Sequence, residues 1–358
     1  MRNVIYLGST AGPPRTGGER YDLEILSFLQ NNGWSTNCLA PPSSPGVPFL
    51  LRHTSENFWF LREVLRLADA RTVVLEDLHL HSRTLLLNLY LRAGRRTQLL
   101  GILHHLPYHD LGSRAYRAID RALVRLSLSL MHHVIAISQS TKQSLSSLGM
   151  PSDRIHVVLP NATELPHPVR SPLNDGTLHA LFVGTCCPRK GVDHLVRAMG
   201  QLRDCPLTVH VVGDLAIDAD YAQGVVRLAH EMGLGDRVVF HGRISQESLH
   251  EQYARADMFV LPSLWEGYGI VLIEATAFGL PIVATSVGAV PEIVQDGYNG
   301  LLVPPSDAGA LAAALRRVCT DVSLRQSLAT GCLERRRSLR TWDSVGKEFA
   351  DLLDRIAS

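Results

Sequence analysis

Short apolar runs alternate with helix-length amphipathic stretches almost from one end of the chain to the other, and few folds accept that alternation. A strand that reads as a continuous apolar run is buried on both faces, and the helix after it supplies the cover. The pattern therefore calls for parallel sheets with helices on both sides. Strands are expected at residues 4–7, 36–39, 72–75, 98–103 and 133–137, then at 178–183, 207–212, 238–241, 258–261, 282–284 and 300–303. At 358 residues the chain exceeds what one hydrophobic core usually sustains, so the strands fall into two doubly wound α/β domains. Pro160, Pro166, Pro168, Pro172 and Gly176 cluster in a polar stretch between two strands, which puts the seam between Pro160 and Asp175. The expected divisions are 1–165, 166–340 and a C-terminal helix over 341–358. In that helix Trp342, Val345, Phe349, Leu352 and Ile356 fall near helical spacing, so it packs back toward the N-terminal domain.

Composition bounds the rest. With 46% hydrophobic and 19% charged residues and no low-complexity end, the chain is expected to fold throughout. Cys38, Cys186, Cys187, Cys205, Cys319 and Cys332 are scattered without a CxxC pair, which argues against a zinc ribbon and a secreted disulfide framework. A cytoplasmic protein with reduced thiols is expected. The apolar run at the N-terminus is too short for a signal peptide, and nothing approaches the ~18 apolar residues of a membrane span. The Asn161-Ala-Thr163 sequon carries little weight in such a chain.

Residues 1–165 hold 17 Lys+Arg against 12 Asp+Glu, a net +5, so a total of +1 leaves −4 for the remainder. A basic N-terminal half suits an anionic acceptor or a membrane surface, and an ordinary solvated face is the simpler account. The same choice applies to Arg114, Arg117, Arg121 and Arg125, which recur at three- and four-residue steps along one helix face. Asp218-Ala-Asp220 reads as a helix entry rather than a metal-binding motif.

The most specific segment is Leu261-Pro-Ser-Leu-Trp-Glu-Gly-Tyr-Gly-Ile-Val-Leu-Ile-Glu-Ala-Thr-Ala-Phe-Gly-Leu-Pro-Ile-Val-Ala-Thr, which reads strand, loop, helix, strand. Gly267 and Gly269 let the backbone approach a ligand closely. A helix beginning near Gly269, with Ile270 and Val271 in its first turn, aims free N–H groups and its dipole at an anion such as a diphosphate. Glu266 lies in the loop and Glu274 in the second helical turn, and carboxylates accept hydrogen bonds from sugar hydroxyls well. Taken alone, either glutamate is as easily a solvated or capping residue. A second anion site is suggested at Val183-Gly-Thr-Cys-Cys-Pro-Arg-Lys-Gly, a strand end running into a helix start. Gly184 and Thr185 lie there beside Arg189 and Lys190. Two cations at a helix N-terminus are mismatched unless an anion shares the site.

The 261–285 segment resembles the signature of the family 4, or group 1, retaining glycosyltransferases: Pro-Ser, Glu-Gly-Phe/Tyr-Gly, Glu-Ala, Gly-x-Pro-Val-Val-Ala. The resemblance implies a GT-B fold, two Rossmann-like domains facing a cleft, the second binding a nucleotide-sugar and the first the acceptor. It puts Glu266 on the transferred sugar, Glu274 on the ribose, and Gly267, Tyr268 and Gly269 beside the donor. Val183-Gly-Thr…Arg-Lys-Gly is similar to the family's Gly-Arg…Lys-Gly element, with Thr185 where an arginine is usual and Arg189 as its substitute. Phe240-His-Gly-Arg-Ile is similar to a strand end whose backbone lies against the nucleotide base, which implicates Gly242, Arg243 and Ile244. Ser286-Val-Gly-Ala-Val-Pro-Glu extends the likeness, with Ala289 at a usual glycine. In the first half, Gly17-Gly18-Glu-Arg, in the Gly12–Gly18 loop ahead of a helix over 21–30, resembles the family's phosphate-bordering Gly-Gly loop. His104, with His105 second and His109 as loop surface, matches a histidine near the transferred sugar.

The resemblance further implies transfer of a hexosyl unit from a nucleotide-diphosphate sugar to a glycan, lipid-linked or small-molecule hydroxyl, as in polysaccharide or glycoconjugate biosynthesis. His104, Arg189, Lys190 and Glu266 would be the catalytic residues. No metal, other cofactor or nucleic-acid partner is implied. Peripheral contact with an anionic membrane on the cytoplasmic face stays an open option. A nucleotide-sugar epimerase of the same fold and a non-catalytic donor-binding subunit are the rival readings.

Overall fold

The computed structural model describes residues 2–8, 14, 16–40, 49–67, 72–77, 84–93, 97–104, 114–160, 170–173 and 175–357, the side chains of 49–55, 114–117 and 357 apart. The chain divides into two compact units, Met1–Pro160 with Trp342–Ser358, and Asn161–Thr341. The residues 161–169 of the expected seam, with their sequon, lie outside the described residues.

The first unit holds β1 (Asn3–Leu7), β2 (Ser35–Leu39), β3 (Thr72–Asp77), β4 (Gln98–Leu103), β5 (His133–Ala136) and β6 (Ile155–Val157), with α1 (Gly17–Asn31), α2 (Phe49–Leu67), α3 (Leu85–Ala93), α4 (Arg114–Leu130) and α5 (Gln139–Ser147) between them. The strands form one parallel sheet in the order β2-β1-β3-β4-β5-β6. Every sheet position of β1 is buried, and Ile5, Leu7, Val74, Leu99, Leu103 and Val134 close into a core with Phe60 and Val64 of α2.

Asn161–Thr341 has the same plan. Its elements are β7 (Leu178–Val183), α6 (Val192–Gly200), β8 (Leu207–Val212), α7 (Ala219–Glu231), β9 (Val238–Gly242), α8 (Gln246–Arg255), β10 (Met258–Leu261), α9 (Ile270–Ala277), β11 (Ile282–Thr285), α10 (Val290–Ile293), β12 (Gly300–Val303), α11 (Ala308–Thr320) and α12 (Val322–Arg336). The parallel order β12-β11-β10-β7-β8-β9 reverses direction between β10 and β7. Loops leaving the carboxyl ends of two strands at such a reversal diverge and leave a crevice, where ligands of open α/β sheets bind.

Every strand expected from the sequence is present, and β6 is an additional one: three residues at a sheet edge, paired only with β5. The last helix, α13 (Trp342–Ala357), returns to the first unit and buries Trp342, Val345, Phe349, Leu352 and Leu353, while Ile356 is half-buried. It lies so close to α1 that a Cβ on Gly346 would stand 2.2 Å from the Phe28 ring. Asp218 caps α7 by accepting from Tyr221 N–H at 3.2 Å, which makes Asp218-Ala-Asp220 a helix entry. All six cysteines are free, and among the described residues no helix is long and apolar enough to cross a membrane.

A row of histidines in the second sheet has no counterpart in any local sequence pattern. His179, His210 and His241 stand on neighbouring strands β7, β8 and β9 and bond end to end, with N···N distances of 3.0 Å at both junctions. Asp175 closes the row by accepting from His179 Nε2 at 3.2 Å. The carboxylate fixes each ring as the Nε2–H tautomer, because each neutral imidazole must offer one donor and one acceptor in the same sense.

Candidate active site

Where β7 ends, the chain turns through Gly184 and Thr185, both half-buried, and reaches a 3-10 turn over Pro188–Lys190. Arg189 and Lys190 sit on that turn, ahead of α6. The sequence pattern has them opening the helix, but Gly191 takes a left-handed conformation (φ 64°) and breaks the run between turn and helix. Only glycine fits there, since a Cβ would come within 2.2 Å of the Pro262 carbonyl. The turn thereby lies against the loop leaving β10. Leu264 N–H donates to Arg189 O at 2.7 Å, and Arg189 Nη1 donates to Trp265 O at 3.3 Å.

This contact sets Lys190 against Glu266. Lys190 Nζ is 2.6 Å from Glu266 Oε2, with the two side chains 11% and 9% exposed, and Ser263 Oγ donates to the same oxygen at 3.2 Å. Burial pushes the Glu266 carboxyl up, but the Lys190 and Arg189 charges and the bonds from Lys190 and Ser263 outweigh it and hold the group below its ordinary value. The aliphatic stem of Lys190 passes Gly184, where a Cβ would sit 3.5 Å from Lys190 Cε. From the other side Gly288 (φ 51°) approaches so closely that a Cβ would be 2.0 Å from Glu266 O, and Ala289 N–H bonds that carbonyl at 3.0 Å.

After Glu266 the chain runs through buried Gly267 and Tyr268 to Gly269 (φ 97°), which caps α9 without a side-chain bond, and the first-turn N–H groups of Ile270 and Val271 lie beyond the reach of the helix's own i→i−4 bonds. Tyr268 is 4% exposed, and burial together with Glu292 raises its hydroxyl pKa, so it is packed in the unit's interior. Glu274 is buried within α9, and its Oε2 accepts from Tyr253 Oη at 2.8 Å. At the end of β9 a register shift accompanies Gly242, whose left-handed backbone (φ 65°) has open space where a Cβ would be. The bulge carries the chain on to exposed Arg243 and half-buried Ile244.

The first unit has its own constellation. Gly17 and Gly18 form the first turn of α1, where the sequence pattern suggests a loop reaching to Tyr21. The cause is a capping box: Glu19 N–H donates to Thr16 Oγ1 at 3.2 Å and Thr16 N–H to Glu19 Oε2 at 3.3 Å, which starts the helix early. His104, just past β4, lies against Gly18, where a Cβ would be 2.9 Å from its ring. Its Nε2 is 3.0 Å from both oxygens of Asp22, which also accepts from Tyr6 Oη at 2.5 Å. Burial works against the charged imidazole, but the Asp22 charge and bond, with help from Asp77 and Glu19, lift His104 to about 9. Among the described residues Asp22, Asp77 and His104 are the only such group close enough to share a metal ion. As arranged here, His104 and Asp22 face each other as a charge pair, with Nε2 to Oδ2 at 3.0 Å. His105 and His109 lie outside the described residues, as do positions 12, 13 and 15 of the Gly12–Gly18 loop.

Two family models match. The model described as glycosyl transferases group 1 covers residues 166–331, and that of glycosyltransferase family 4 covers 15–162. The chain belongs to this glycosyltransferase family. A D-inositol 3-phosphate glycosyltransferase of Nocardioides sp. is 36% identical over 188 residues, 49% of this chain and 41% of the relative. The chain spans about half the length of the curated relatives it matches. Among solved structures, sucrose-phosphate synthase from Thermosynechococcus elongatus has a TM-score of 0.83 at 22% identity, over 99% of both chains. HepE from Anabaena, solved with UDP and glucose, has 0.77 at 19% identity, over 99% of this chain and 100% of its own. These neighbours share the GT-B fold.

Of the residues singled out in this glycosyltransferase family member, Lys190 and Glu266 touch each other, Arg189 braces their loop, and Gly18 touches His104. The partners Ser263, Tyr253, Asp22 and Tyr6 are not among the residues the sequence pattern points to. Ser263 sits inside the Pro-Ser signature, and that position could have marked it as Glu266's neighbour. Tyr253 and Asp22 meet their partners only through the fold, across 21 and 82 residues.

Proposed function

We propose that the chain is a retaining hexosyltransferase that uses a nucleotide-diphosphate sugar, held by Asn161–Thr341, and a hydroxyl acceptor, held by the N-terminal unit. The reading rests above all on the buried Lys190–Glu266 pair at the switch point of the second sheet. One side of that pair suits a diphosphate and the other suits sugar hydroxyls. Arg189, Lys190 and the open N-terminus of α9 would stabilise the leaving diphosphate, each charge-assisted contact contributing ~1.5–3 kcal/mol. The leaving oxygen then takes the acceptor's proton as the hydroxyl attacks the same face, so the anomeric configuration is kept without a protein nucleophile. Arg189 and Lys190 neutralise the diphosphate charge that a metal would otherwise neutralise, so EDTA should leave the rate unchanged. A thermal-shift screen of UDP, GDP and ADP sugars identifies the donor, because a ligand of the native state raises the melting temperature. NMR of the product's anomeric proton then checks the configuration. An inverted linkage would refute the mechanism.

Contact with an anionic membrane is the second element of the proposal. On adjacent helices, α2 exposes Phe58 and Leu65, α3 exposes Leu86, Leu89 and Tyr90, and α4 exposes Ile119 and Leu126, each set at helical spacing. Arg62, Arg66, Arg92, Arg121 and Arg125 are exposed on the same helices. The side chains of Arg114 and Arg117, the rest of the expected stripe, lie outside the described residues. Large apolar side chains fringed by arginine fit lipid headgroups on a cytoplasmic face. Sedimentation should be stronger with phosphatidylglycerol vesicles than with phosphatidylcholine and should fall in R121E/R125E. Equal binding to both vesicles would refute it.

A further inference from the structure

Lys190 and Glu266 are each other's charge partners in a site where both are nearly excluded from water. Glu266 Oε2 also receives Ser263 Oγ, while the Lys190 ammonium has Glu266 as its one side-chain partner among the described residues. A diphosphate that recruits Lys190 must take it from Glu266. Breaking a buried pair from one side leaves the other charge unpaired, which is more unfavourable than leaving the pair intact. What then remains, the Ser263 hydroxyl and the Arg189 charge with no direct bond to it, does not replace the Lys190 contact at a carboxylate that accepts through two oxygens. A ligand that also brings hydroxyl donors to Glu266 removes that penalty.

Resting on the donor-site reading above, we propose that Glu266 makes the site discriminate between a nucleotide-sugar and the nucleoside diphosphate left after transfer. With the sugar present, its hydroxyls occupy Glu266 and Lys190 is free to hold the diphosphate. Once the sugar has left, Glu266 reclaims Lys190 and the nucleoside diphosphate is expelled. Glu266 thus couples the two halves of the donor and promotes product release, apart from any contact it makes with the reacting sugar. A residue that touched only the sugar would have no effect on the binding of a ligand without one.

Isothermal titration of UDP, GDP and ADP, and of their glucose and mannose derivatives, tests this on the full chain in wild-type and Glu266→Gln forms. Glutamine keeps the shape and removes the charge that competes for Lys190. The expected result is that Glu266→Gln binds the cognate nucleoside diphosphate about tenfold more tightly and the nucleotide-sugar no better, so the preference for the sugar-bearing ligand collapses. A second measurement needs no variant. In wild-type protein, saturating free hexose should tighten nucleoside diphosphate binding by occupying Glu266. If the variant folds and binds both ligands with the wild-type preference, or if none of glucose, mannose, galactose and N-acetylglucosamine tightens the wild-type complex, the coupling is wrong while the donor site stands. If wild-type protein binds no nucleotide in either form, the donor-site reading falls and the coupling with it.

Discussion

Acidification should weaken Asn161–Thr341 through the histidine row, and the size of the effect follows from its central ring. Burial, with the like-charged neighbours His241 and His179, lowers the His210 pKa from 6.5 to about 4, and His241 is lowered by burial. Asp175, at the far end, reaches only His179 of the three rings. A histidine whose folded-state pKa is depressed binds fewer protons than it does in the unfolded chain. Its contribution to stability is therefore present above about pH 6.5 and is lost as the pH falls toward about 4. At pH 5 the folded ring would be about nine-tenths neutral and the unfolded one almost wholly charged, a difference of about 2 kcal/mol. His210 is only half-buried, so solvent screening cuts this to ~1 kcal/mol, or ~2–4 °C in melting temperature for a unit of this size. Calorimetric melting of the wild type and His210→Gln at pH 7.5 and 5.0 measures it. Glutamine does not titrate, so the variant, though less stable at pH 7.5, should lose less on going to pH 5. Equal losses in the two proteins would mean that the row does not govern the acid response.

Three further outcomes are expected. Gly288→Ala should lower stability more than Gly297→Ala in urea unfolding: both positions carry positive φ, worth ~1–2 kcal/mol against alanine, but only at Gly288 does the added Cβ strike a carbonyl. Equal effects would show that the loop carrying Glu266 yields freely. Lys190→Met should destabilise by ~3–5 kcal/mol near pH 8 by stranding the buried Glu266 carboxylate, and the deficit relative to wild type should shrink at pH 5, where Glu266 can take up a proton. A deficit independent of pH would refute the charge account. Asp22→Asn should bring the His104 midpoint, read by NMR titration of its ring protons, well down from about 9, since burial is then opposed only by Asp77 and Glu19. An unmoved midpoint would show that Asp22 does not hold the charge.

Sequence period and site pairing are not equally legible, and the difference is physical. The central strands of both sheets are readable because burial on two faces demands unbroken apolar runs, and the half-exposed edge strand β6 escapes the same rule. Ile155-His156-Val157 is half-exposed at an edge, and only its ladder with β5 makes it a strand. Boundaries move where short-range chemistry overrides the pattern: the Thr16–Glu19 capping box draws Gly17 and Gly18 into α1, and left-handed Gly191 separates Lys190 from α6. Glu266 and Glu274 stand out as carboxylates flanking a glycine-rich loop, yet spacing cannot tell what each one meets. Glu266 faces Lys190 because two loops leave adjacent strands at a reversal of sheet order, and Glu274 faces Tyr253 because α8 and α9 flank β10 in sequence and converge in the fold. Although only seven residues separate them along the chain, one carboxylate is held by a cation and the other by a neutral hydroxyl. The first contact is the one that a competing anion could take over under the proposal above. The two glutamates therefore differ in kind, and the difference lies in their partners.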